Sequence, residues 1–154
     1  PFDSDDNLFA EAIRKTLTAE DIAASFQRAG RETPPDLPLC DFVAPLQRPS
    51  IGGEGSTDVG DVSWVTPTVQ ARVATCAVGT PFHTWQTVAQ GKMPAAHKGM
   101  VHAAKVMAAT ATHLINSPET LKAARKVHEQ RQKATPYICP IPQDAKPPII
   151  EQPS

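Results

Sequence analysis

Three short segments hold the side chains whose types and spacing could do chemistry. His83 lies in Gly79-Thr-Pro-Phe-His83-Thr84, directly after a run of strand-forming residues. Neutral imidazole is a good zinc ligand, and open α/β sheets place their sites just beyond strand ends. Ser56, Thr57 and Asp58 form a polar turn behind Gly52, Gly53 and Gly55, glycines that let the backbone come close to a neighbour. Asp58 reads equally well as a first-turn acid stabilising its own helix. His97 and Lys98 open a long helix, where free N–H groups attract an anion, so the pair is suited to a substrate carboxylate. His97 also reads as the ligand with His83 as its helper, or as an ordinary polar residue at a helix start.

The other polar residues read more plainly. His102, His113 and His128 fall on solvated helix faces, Cys76 is a buried and inert thiol, and Trp64 is core or pocket wall.

The elements that must position these groups follow from periodicity. Phe9, Ile13 and Leu17 share one face of a helix over 8–17. Thr18-Ala-Glu-Asp21 starts a second helix, with Gly30 as the residue after its end. Residues 31–55 form a long Pro- and Gly-rich connection with a short strand at 39–43. Ser56 caps a short helix through 58–61. The best strand covers 68–78, with Val69, Ala71, Val73, Thr75 and Ala77 alternating against a second set that turns apolar near His83. The strongest helix covers 98–115. Its Met100, Ala104, Met107, Ala108, Ala111, Leu114 and Ile115 make one stripe, opposite His102, Lys105, Thr112 and Asn116. Ser117-Pro118 starts a last, solvated helix over 119–133. Residues 1–135 then form one folding portion, and 136–154 an extended Pro-rich tail.

Bulk properties narrow the function. A chain of 154 residues fits one domain with a real core. The net charge of −1, with no long basic run, argues against nucleic acid and anionic membranes. No apolar run approaches the ~20 residues of a membrane span. The three cysteines form no C-x-x-C pair and suit reduced thiols in the cytoplasm. One strand cannot make a sheet alone, and the acidic start without Met is expected of a piece of something longer.

Several linked segments resemble a known family. Gly55-Ser-Thr-Asp-Val-Gly-Asp-Val-Ser-Trp64, Pro67-Thr-Val-Gln70, Cys76-Ala-Val-Gly-Thr-Pro81, His83-Thr-Trp-Gln86, Ala96-His-Lys-Gly-Met100 and Tyr137-Ile-Cys-Pro-Ile-Pro142 occur in this order. They resemble the M20 metallopeptidases, and within them the aminobenzoyl-glutamate utilisation B-like amidohydrolases. The likeness is good over about residues 50–145 and loose before them, and it corresponds to the C-terminal part of such an enzyme.

The resemblance implies an α/β fold, as the C-terminal part of a three-layer α/β/α zinc-peptidase-like catalytic domain. It implies hydrolysis of amide bonds in N-acyl amino acids, p-aminobenzoyl-glutamate among them, by a metal-activated water. His83 would hold zinc or manganese in a two-metal site whose other ligands lie outside this chain. Ser56, Thr57 and Asp58 would shape the substrate cleft. His97 and Lys98 are placed by position, not by a firm motif, at the substrate carboxylate. The remaining N-terminal part of the enzyme becomes a partner, and the intact protein a homodimer.

This chain has no Glu-Glu pair, no Cys-x-His and no Asp-x-His. No catalytic residue is expected within it, and alone it is expected to be inactive. Two other readings compete: a noncatalytic module that docks a partner through its Pro-rich segments, and a degenerate relative that keeps the fold without the chemistry.

Overall fold

The computed structural model describes residues 1–31, 37–46 and 57–146. Its regular elements are six helices: α1 Ser4–Arg14, α2 Ala19–Arg28, α3 Val59–Val65, α4 Trp85–Gln90, α5 Pro94–Asn116 and α6 Pro118–Ala134. They fall into two compact units. One joins Pro1–Gly55 to Val69–Asn116, and the other joins Ser56–Thr68 to Ser117–Ser154.

The expected α/β/α layering is corrected by this architecture. Among the described residues there is no strand and no sheet, at 39–43 or at 68–78. The alternation at 68–78 is real, but a strand needs a neighbour to accept its ladder. Here the end of 68–78 meets the residue just before 39–43, through a backbone bond from Val78 N–H to the Pro38 carbonyl (2.9 Å). Residues 67–72 are exposed, and the chain turns inward only towards the buried Ala77.

The first unit is held by its N-terminal helix. Asp3 caps α1: its Oδ1 accepts the Asp6 N–H (3.0 Å), while Asp6 Oδ2 accepts the Asp3 N–H (2.9 Å). This reciprocal box starts the helix four residues before the expected 8–17. Lys98 on α5 then donates to both carboxylates, Asp3 and Asp6, at 2.5 Å each. The Asp6 side chain is 1% exposed, so the ion pair is partly withdrawn from water. Behind it, Ala10, Ile13, Leu39, Ala77 and Ala95 form the core, with Phe2, Phe9 and Leu17 against it.

α2 begins at Thr18, whose Oγ1 accepts the Asp21 N–H (3.1 Å), and Gly30 after its end has φ 69°. Its Ile22 touches the turn at Gly79, where φ is 96° and a Cβ would come within 2.7 Å of the Ile22 side chain. α5 packs equally closely. A Cβ on Gly99 would run into the Ala74 carbonyl oxygen and sit 2.8 Å from Thr75 Cγ2.

The second unit is small. Trp64 and Tyr137 pack with ring centroids 6.1 Å apart. Gln132 donates to the Trp64 carbonyl (2.6 Å), and His128 shares a hydrogen bond with the Ser63 carbonyl (3.2 Å). Tyr137 donates to Asp61 Oδ1 (2.9 Å), and this bond to a carboxylate pushes the phenol up to about 12.

Two expectations follow. The hydrogen bond from Lys98, then the Asp6 N–H, holds the Asp3 carboxyl at about 2, below its usual ~3.9. Its contribution is complete above about pH 4 and is lost as pH falls towards 2. Hydrogen bonds to Asp3 first and Asp6 second raise Lys98. Its contribution is complete below about pH 10 and is lost as pH rises through the higher folded value. Amide protection of α1 should therefore hold between these limits and fall at both ends; a flat profile from pH 5 to 2 would contradict the ion pair.

Gly99→Ala should destabilise by about 1–3 kcal/mol in chemical denaturation, although alanine is the better helix former by roughly 1 kcal/mol. A stabilised Gly99→Ala protein would show that α5 does not press on Ala74.

Candidate functional site

His83 is the one non-glycine residue with positive φ among the described residues, at 62°. Left-handed backbone is uncommon for a side chain with a Cβ, though histidine tolerates it better than most. Such conformations persist only where the surroundings fix them. The surroundings here are a short, heavily bonded loop.

Both flanks of His83 are tied. On one side, Thr80 N–H and Thr80 Oγ1 both donate to the Ala77 carbonyl (3.1 and 2.7 Å), closing the turn through Gly79. On the other, Thr84 caps α4, accepting the Thr87 N–H at 3.4 Å. Thr84 and Thr87 hydroxyls both donate to the Pro81 carbonyl (2.8 and 2.7 Å).

Gln90 joins the two flanks. It is 3% exposed. Its Oε1 accepts the Ala77 N–H (2.7 Å), and its Nε2 donates to Thr80 Oγ1 (3.1 Å) and the Gln86 carbonyl (3.0 Å). The amide therefore uses both its donors and its acceptor inside the protein. The result is a braced loop that holds Phe82 and His83 out to solvent.

The remaining expected site residues are placed as follows. His97 is exposed in the first turn of α5, with its N–H on the Met93 carbonyl (3.3 Å). Lys98 is one residue on, with its ammonium between Asp3 and Asp6. Thr57 and Asp58 belong to the other unit. Thr57 Oγ1 accepts the Val59 N–H (3.4 Å), and Asp58 precedes α3 without a side-chain cap. Ser56 lies outside the described residues.

As a metal site this set is incomplete. Among the described residues no three His, Cys, Asp or Glu side chains converge, whereas zinc takes three or four protein ligands. His83 is a single donor on a rigid support. Elsewhere, burial pushes the Cys76 thiol up, against the effect of its Thr80 hydrogen bond.

Similarity to known proteins bears on this loop. The chain is 41% identical over 160 aligned residues to a subunit of the p-aminobenzoyl-glutamate hydrolase of Escherichia coli strain K12. The chain is a relative of the aminobenzoyl-glutamate utilisation B-like amidohydrolases. The alignment takes in 95% of this chain but 32% of that protein, so the chain spans about a third of the length of this amidohydrolase relative. No family model matches, and no solved structure matches.

Gln90 and the Asp3–Asp6 pair were not apparent as positioning groups in the sequence. Asp3-Ser-Asp-Asp6 does carry a signal, since acids three apart before a helix face make a reciprocal cap. Gln90 has no comparable local signal, because its partners lie up to 13 residues back.

The brace sets an expectation. Gln90→Leu leaves the buried Ala77 N–H without a partner and should cost about 1–3 kcal/mol. His83→Gly should be at least as stable as His83→Ala, by about 1 kcal/mol, because glycine adopts this φ freely. Denaturation midpoints of the three variants measure both; a more stable His83→Ala would remove the constraint at this position.

Proposed function

We propose that this chain contributes part of a metal-dependent amidohydrolase that cleaves the amide bond of N-acyl amino acids of the p-aminobenzoyl-glutamate type. The observation that carries the reading is His83, an exposed imidazole at φ 62° in a loop braced by a buried glutamine. The E. coli relative, named as part of a p-aminobenzoyl-glutamate hydrolase, supports the reaction class.

In this reading His83 is one ligand of a zinc or manganese pair, and donors outside this chain complete the site. The chemistry such a metal would supply there is a more acidic bound water and a polarised scissile carbonyl. Gln90 and the hydroxyl bonds of Thr80, Thr84 and Thr87 hold the backbone that carries the imidazole. The polar turn Ser56-Thr57-Asp58 is assigned to the substrate cleft of the complete enzyme. His97, free at the start of α5, meets the substrate carboxylate. Lys98 reaches that carboxylate only by exchanging Asp3 or Asp6 for it, since both hold its ammonium.

The E. coli relative is named as one subunit of its hydrolase, and the same is proposed for the protein containing this chain: it works with a different polypeptide, or with a second copy of itself. Among the described residues no helix is long and apolar enough to cross a membrane. The three cysteines are free, which suits a reducing cytoplasm.

The test uses a chimera in which this chain replaces the matched third of the E. coli relative. Purified chimera should carry metal and hydrolyse p-aminobenzoyl-glutamate. His83→Gly should keep the fold, lose bound metal, and lower kcat/KM by more than about 100-fold, the upper end of what disturbing a ligand's outer partners costs. A folded His83→Gly chimera with full metal content and parental turnover would exclude His83 as a ligand. A folded chimera without metal would favour the noncatalytic binding module.

A further inference from the structure

α5 is the longest helix, 23 residues, and its first two turns are its best-buried part, with Ala95 and Gly99 inside. From Met100 onward most of it is exposed among the described residues. Met100 is 61% exposed, Met107 68% and Ile115 79%, with Val101 at 49%. Yet Met100, Ala104, Met107, Ala108, Ala111, Leu114 and Ile115 form one apolar stripe along it. Between Met100 and Ile115 the charged residues are limited to Lys105, and five alanines lie between them. An amphipathic helix buries such a stripe against other polypeptide. Small residues along it let another backbone approach closely, and exposed apolar stretches of this size mark contact sites.

Two observations say what covers it. The relative of 41% identity has about twice as much chain again beyond the part matched here, 32% of its length being aligned. The helix also has a one-signed charge: it has no Asp or Glu, and with Lys98 held by Asp3 and Asp6 its remaining charge is Lys105. A complementary surface is therefore apolar at its centre with a carboxylate at its rim near Lys105.

We propose that the Met100–Ile115 face of α5 is an interface, covered by the polypeptide equivalent to the two thirds of the relative that this chain does not match. The contact is apolar, with Met100, Met107 and Ile115 as its anchors and Lys105 at its acidic edge. It brings the unmatched polypeptide to the same helix whose first turn carries His97. The placement rests on the relationship to the E. coli protein, not on metal binding at His83.

The chain's own methionines supply the probe. It has three, Met93, Met100 and Met107, and thioether oxidation by hydrogen peroxide follows solvent exposure. Site-by-site oxidation rates are read by peptide mass spectrometry in the 154-residue chain and in the chimera described above. In the chain alone, Met100 and Met107 should oxidise at nearly the rate of free methionine. In the chimera both should slow at least ten-fold, while the half-buried Met93 changes by less than two-fold. Equal rates for Met107 in a folded chimera would overturn the proposal. Protection in the isolated chain that grows with its own concentration would also overturn it, by making the occupant a second copy.

A second measurement stands apart from the chimera's folding. In the intact E. coli relative, amides of the helix aligned with α5 should exchange at least ten-fold more slowly than those of α5 in the isolated chain. Equal exchange would equally remove the interface. Neither readout depends on metal or turnover, so loss of the hydrolase reading would leave this result standing.

Discussion

One buried carboxamide ties together the part of the molecule that could act. Gln90 gathers the Ala77 N–H, the Thr80 hydroxyl and the Gln86 carbonyl into a single amide. Without it, the turn at Gly79 and the start of α4 would be joined only through the chain between them. With it, the six residues from Gly79 to Thr84 have little freedom, and His83 can be held in a backbone state it would not choose alone. Burial makes the arrangement stringent, because a glutamine shielded from water must have every partner supplied by the protein. Function at this position, if it depends on aiming an imidazole, depends first on a residue that never reaches the surface.

Around this brace the protein is economical with apolar burial. Among the described residues the buried apolar side chains are Ala10, Ile13, Phe26, Leu39, Ala77 and Ala95. Half of these are alanines, which contribute little area each. Close approach substitutes for bulk: Gly79 lets Ile22 in, and Gly99 lets α5 settle on Ala74. The ion pair from Lys98 to Asp3 and Asp6 supplies the remaining attachment of α1, and it acts across the edge of the core where water can still reach Asp3. Polar attachments therefore do much of the joining, while a large share of the apolar surface on α5 has no partner among the described residues.

How much of this was legible depended on how local each cause is. α2 was readable because Thr18 and Asp21 are three apart, and α6 because Pro118 can only sit at a helix start. α5 was readable from its stripe, although it begins at Pro94 and not at 98. α4 was missed: six residues containing a threonine and a valine show no helical period, and its formation rests on the Thr84 cap and the Gln90 bonds. The strand at 68–78 was misread because alternation also describes a segment passing from solvent into a core. Lys98 looked like a free cation at a helix start, since its partners are 92 and 95 residues away. His83 stood out by position and neighbours, but nothing local announced its left-handed backbone. Thr57 and Asp58 gained no new constraint, and Ser56 lies outside the described residues.

The distribution of indole groups has a practical consequence. The chain has two tryptophans, and each unit has one: Trp64 against Tyr137, and Trp85 at the head of α4, 60% exposed. Near-ultraviolet excitation therefore samples both units from within, without an added dye. Trp64, beside a ring whose hydroxyl is engaged by Asp61, is the shielded emitter; Trp85, two residues after His83, is the quenchable one. The protein is its own pair of spectroscopic reporters, and the second of them sits beside the loop on which the chemistry would turn.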